Sequence, residues 1–151
     1  MLRSSGFLSV NSAVSATATM VNAQTAFTIA GGPVAILDLI SECITTNDVT
    51  ASTLQWQSNP TVGTATTISG ATTTLASIAA GATIRLAPTL LSTAPVIALA
   101  AAGGVQLGTN VSNWISIQPG TLKMVIGVGS TTGTWKHYLT YIPMAPGATV
   151  T

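Results

Sequence analysis

Charge is what this sequence has least of. Among 151 residues there are 4 Lys+Arg and 3 Asp+Glu, so 5% are charged, where a soluble domain commonly carries about 25%. Proteins that bind nucleic acid neutralise several phosphates with clustered cations. Here Arg3, Arg85, Lys123 and Lys136 are scattered, which excludes nucleic acid as a direct partner. Cysteine is nearly absent: Cys43 stands alone, so there is no disulfide framework. Between Ile40 and Ile44 it reads as a small core residue, with a catalytic thiol the minority reading.

Long apolar runs are also missing, although mean hydropathy is +0.59. A membrane-spanning helix needs about 20 predominantly apolar residues. The best run, Ala94 to Gly108, contains Pro95, Gly103, Gly104 and Gln106, and the run from Val34 to Ile44 carries Asp38 and Glu42. The apolar patch at Phe7-Leu8 after Arg3 is too short for a good signal peptide. The chain is therefore expected to be made in a cytoplasm and to stay there until assembly.

The signatures of chemistry are thin. His137 is the single histidine. A Ser-His-Asp set can be drawn with Asp38 or Asp48, but serines are too abundant for that to mean much, and no Gly-x-Ser-x-Gly elbow is present. Gly103-Gly104 with Gly108 lacks the Lys of a phosphate loop. We expect no catalytic residues and no cofactor. Asp38, Glu42 and Asp48 are the candidate ligands for a hard cation, which takes oxygen donors. Three acids are few, and the alternative is two charges guarding a strand edge and one turn aspartate.

What the chain does have is Thr, Ser, Gly, Ala and β-branched residues in short alternating runs. The surface must be mostly uncharged polar side chains, which cost less to desolvate than charges. With net charge +1, little repulsion keeps copies apart. This favours a chain that works in permanent contact with copies of itself.

The length predicts one domain, an all-β sandwich over residues 25–151 preceded by an N-terminal arm or first strand over residues 1–24. Strands are expected at Phe27 to Ile29, Val34 to Ile44, Ser52 to Gln57, Thr64 to Ile68, Thr73 to Ile78, Ala82 to Leu86 and Val96 to Ala100. Turn signals separate them every 8–12 residues, as in sandwiches and barrels. In the run from Val34, strict alternation puts Val34, Ile36, Asp38, Ile40, Glu42 and Ile44 on one face. Leu122, Met124, Ile126 and Val128 share a face, as do Trp135, His137, Leu139 and Tyr141. With a turn at Ser130 to Gly133 between them, these two strands read as a hairpin.

The C-terminal motifs resemble a known group. Ile117-Gln118-Pro119-Gly120-Thr121-Leu122, Ser130-Thr131-Thr132-Gly133-Thr134-Trp135, Leu139-Thr140-Tyr141-Ile142-Pro143-Met144 and Gly147-Ala148-Thr149-Val150 are similar to a pattern in small bacteriophage virion structural proteins of the head decoration (cement) type. Phe27 to Val34 and Asn59 to Thr64 fit the same group. The resemblance implies a jelly-roll-like β-sandwich that forms a homotrimer on the capsid exterior and holds the major capsid protein lattice together. It offers no catalytic residues. Alternatives are a trimeric fibre or receptor-binding type module and a small self-assembling coat protein. Leu2, Arg3, Phe7, Leu8, Trp56 and Trp114 are the candidate partner-interface residues. For Trp56, Trp114 and Trp135, core packing competes with a role as interface anchors.

Overall fold

The computed structural model describes residues 9–86, 106–107 and 114–151. Its strands are β1 (Asn11–Val14), β2 (Ala18–Thr19), β3 (Thr25–Ala30), β4 (Val34–Cys43), β5 (Thr53–Pro60), β6 (Thr66–Thr67), β7 (Thr83–Arg85), β8 (Gln106–Leu107), β9 (Ile115–Ile117), β10 (Gly120–Gly127), β11 (Thr134–Pro143) and β12 (Thr149–Val150). No helix occurs among the described residues.

The strands form two antiparallel sheets of a β-sandwich. Sheet A runs β1-β11-β4-β9-β8, with β2 also on β11 and β7 also on β4, and sheet B runs β12-β3-β10-β5-β6. Alternation builds the core between them. On β11, Trp135, His137, Leu139 and Tyr141 are buried while Lys136, Tyr138 and Thr140 are half-buried on the other face. On β10, Leu122, Met124 and Ile126 are buried, and on β5, Leu54 and Trp56. Burying a large apolar side chain stabilises by about 1.5–3 kcal/mol, so this two-sided stripe specifies which faces meet.

The expected hairpin does not form. Both strands lie where the alternation puts them, but β10 sits in sheet B between β3 and β5, and β11 in sheet A between β1 and β4. Residues 128–133 cross from one sheet to the other, so the two apolar faces oppose each other across the core. Val128 leaves the strand altogether: it is 79% exposed at φ 71°.

Strict alternation also fails in β4. Thr140 pairs with Asp38 and Tyr141 with Ile36, leaving Leu37 as the extra residue of a bulge. A bulge reverses the phase of the strand. Val34 and Ile36 point inward before it, and Leu39, Ser41 and Cys43 after it, while Asp38, Ile40 and Glu42 point outward.

Residues 73–78 form no strand. The segment before them runs beside β5, but hydroxyls replace part of the ladder: Leu54 N–H donates to Thr72 Oγ1 at 3.0 Å and Trp56 N–H to Ser69 Oγ at 2.9 Å. Ser and Thr side chains compete with backbone pairing in this way. Residues 11–14 and 18–19 pair with β11, so this part of the N-terminal segment is strand, not arm. The run Val96 to Ala100 lies outside the described residues.

Candidate functional site

The two sheets present opposite kinds of outer face. Cross-strand partners share a face, so Asp38, Glu42, Lys136 and Arg85 all point outward from sheet A. They are matched within that face. Arg85 Nε donates to Asp38 Oδ1 at 2.8 Å, and Asp38 raises the guanidinium further above its ordinary range. Tyr138 Oη donates to Glu42 Oε2 at 2.8 Å, and Lys136 Nζ lies 5.7 Å from the centre of the Tyr138 ring. The bond to Glu42 pushes the Tyr138 phenol up, with burial adding to it.

Sheet B shows Thr25, Thr28, Gln55, Gln57, Asn59, Thr121, Val125 and Thr149 outward, with Lys123 as the one charge in the middle. Its β5 edge is occupied by the hydroxyl-bonded segment, and both outermost strands, β12 and β6, are two residues long. Short edges offer little ladder for strand addition, which leaves the flat face as the larger exposed area.

One end of the sandwich gathers the loops 20–24, 44–52, 75–82 and 128–133. Side chains tie them together. Asn47 Oδ1 accepts from Gly133 N–H at 2.9 Å and Trp135 Nε1–H at 3.3 Å, and its Nδ2 donates to the Leu75 carbonyl at 3.0 Å. Thr131 Oγ1 accepts from Met20 N–H at 2.8 Å, and Asp48 N–H donates to Thr132 Oγ1 at 2.8 Å. Sequence reasoning missed Asn47 and Thr131. Both lie in runs that read as loop, and only their burial to 5% and 4% exposure reveals the role. The same end exposes Val21, Ile44, Val49 and Val128. Ala23, Ser77 and Val128, the three non-glycine residues at positive φ among those described, are all there.

The sequence-derived candidates are not brought together as a chemical site. Asp38 and Glu42 are bonded on the outer face of sheet A, and Asp48 lies in the loop end, its carboxyl lowered chiefly by the Thr50 backbone N–H it accepts. No group of three metal-ligating side chains exists among the described residues. His137 points inward, its Nδ1 2.9 Å from Ser41 Oγ and its ring edge-on to Trp56 at 5.2 Å. Asp38 is on the opposite face of β4, so it cannot orient this pair. Burial pushes His137 down to about 4, leaving it neutral at pH 7. Burial also raises the Cys43 thiol, whose Sγ donates to the Thr45 carbonyl, so it is a poor nucleophile. Two clefts of about 210 and 190 Å³ each hold one titratable side chain, Arg85 in the first and His137 in the second.

Of the interface candidates, Trp56 is consumed by the core: it is 3% exposed, so it has no face for another subunit. Trp135 is likewise fully buried. Trp114 is half-buried just before β9. Leu2, Arg3, Phe7 and Leu8 lie outside the described residues. No family model, curated protein or solved structure matches the chain.

Proposed function

We propose that this chain is a non-enzymatic structural protein of a virus particle, a head decoration (cement) protein that trimerises on the capsid exterior and stabilises the major capsid protein lattice. The observation that carries the reading is the division of the surface. Charges on one sheet face are engaged within it, Asp38 with Arg85 and both Glu42 and Lys136 with Tyr138, and the other face is a polar plane with a single charge, Lys123. Hydroxyl and amide side chains can exchange water for a partner's hydrogen bonds at little net cost, whereas unpaired charges cannot. The C-terminal resemblance supplies the virion context.

Mechanically, such a protein needs no chemistry. Copies bound only to the assembled lattice shift its stability by mass action. A three-subunit cluster multiplies the effect because its contacts act together. The test is fractionation of heads from the source lysate. The chain co-sedimenting with intact heads, and heads rupturing at lower temperature when it is deleted, is the expected result. Heads that form, survive heating equally and carry none of the chain overturn the proposal.

A further inference from the structure

We propose that successive copies of this chain join head to face, the loop end of one copy, with Asp48 at its centre, seated on the outer face of sheet B of the next, with Lys123 at its centre. This rests on the assembly reading and says which surfaces carry it.

The first support is the pattern of charge. Among the described residues Asp38 is paired with Arg85, and Glu42 and Lys136 share Tyr138. Asp48 and Lys123 have opposite signs, sit on different surfaces and have no ion pair among the described residues. Stacking two sheet B faces about a two-fold axis would bring the two Lys123 residues toward each other. Joining two loop ends would do the same to Asp48. Like charges set against each other in an interface select against it. Only the mixed contact matches opposite signs.

The second support is symmetry. A contact between two different patches leaves one copy with the first patch unused and its neighbour with the second, and it closes into a ring when the rotation allows. A cyclic trimer needs such a heterologous contact.

The third is shape and apolar content. The three long strands β3, β10 and β5, about 4.8 Å apart at about 3.3 Å per residue, with two-residue strands at either edge, make sheet B a flat plane of roughly 400 Å². Covered on both partners that is about 800 Å², the size of a small contact, which three copies closing a ring reinforce. Around Asp48 the loop end offers Val49 at 83% and Val128 at 79% exposure, which would meet Val125 and the threonine methyls of the facing plane. Val128 is held out at φ 71°, a backbone region costly for a β-branched residue. Such strain persists where surrounding structure over-determines it and clusters at functional surfaces.

Charge exchange tests the contact. The association of the parent chain, Lys123→Glu, Asp48→Asn and the double exchange Asp48→Lys with Lys123→Glu is followed by sedimentation velocity, with circular dichroism reporting folding. Lys123→Glu is expected to weaken association at least about tenfold, and the double exchange to restore it to within a few-fold of the parent. Asp48→Asn keeps the oxygen that accepts from Thr50 and is expected to weaken association less than Lys123→Glu. If Lys123→Glu associates like the parent, or the folded double exchange stays as weak as Lys123→Glu, this contact is wrong while the assembly reading stands. Should the double exchange fail to fold, parent-like association of Asp48→Asn overturns the contact. A parent chain that is monomeric throughout overturns the assembly reading itself.

Discussion

The two ends of the sandwich solve the same problem differently. Where β3 turns into β4, and where β9 turns into β10, left-handed backbone falls on Gly31 at φ 75° and Gly120 at φ 151°. There the chain passes so close to itself that a Cβ on Gly31 would collide with the Gly147 carbonyl oxygen, and one on Gly120 with that of Asn59. At the other end positive φ also falls on Ala23, Ser77 and Val128. Those loops are held by Asn47, Thr131 and Thr132 through side-chain bonds to backbone. The glycine end achieves tight turns by removing side chains. The loop end has glycines of its own, with Gly81 and Gly129 at positive φ and Gly133 pressed against the Thr45 carbonyl, but it also keeps three side chains in unfavourable backbone and exposes them. The first arrangement is what tight turns demand, and the second leaves side chains standing at the surface.

Substitutions break this comparison in order of size. Gly31→Ala is expected to have the largest effect, at least about 3 kcal/mol, because the left-handed region costs about 1–2 kcal/mol for a side chain and the collision forces backbone movement. Urea denaturation would read it. A loss below about 1 kcal/mol would mean the glycine end is not tight.

Acid should weaken both ends together, since His137 lies in the core between them. Its folded pKa of about 4 is below the unfolded value near 6.5. The unfolded state therefore binds more protons between those pH values. The stability tied to neutral His137 is complete above about pH 6.5 and is lost as pH falls toward 4, by about 3 kcal/mol. Chemical denaturation of the parent and His137→Gln across pH 4–7 checks the sign. An equally steep pH dependence in the variant would assign it to other groups.

Asn47→Ala should cost about 2 kcal/mol, because it strands the Gly133 and Trp135 donors and the Leu75 carbonyl in a buried position. Amide exchange should rise first in residues 44–52 and 128–133, with β3 to β4 unaffected. Uniform exchange would mean the loop end is not a separate unit. The smallest change sharpens the contrast: Val128→Gly should stabilise the isolated chain by about 1 kcal/mol and yet weaken association. Loss of stability together with unchanged association would show that Val128 serves the fold.

Much of the sandwich was legible because period-two alternation survives folding. β3, β4, β5, β10 and β11 fall within a few residues of where the sequence puts them. Pairing was not legible. Alternation says which side of a strand is apolar, and two one-sided strands with a six-residue gap suit a hairpin or a crossing between sheets equally well. The bulge at Leu37 was hidden because Leu37 and Leu39 are both apolar, so the reversed phase has no compositional mark. Residues 73–78 alternate like a strand, but neighbouring Thr72 and Ser69 hydroxyls already occupy the β5 donors. The proposed contact surface was foreshadowed only by missing charge. Which face keeps the charges depends on the bulge that turns Asp38 and Glu42 outward, and that no local pattern carried.

The measurement closest to the central claim is the mass of the purified chain in solution by light scattering across a concentration series. The account predicts a discrete species of three chains that persists on dilution into the low micromolar range. A single chain of 15.1 kDa at every concentration would contradict it.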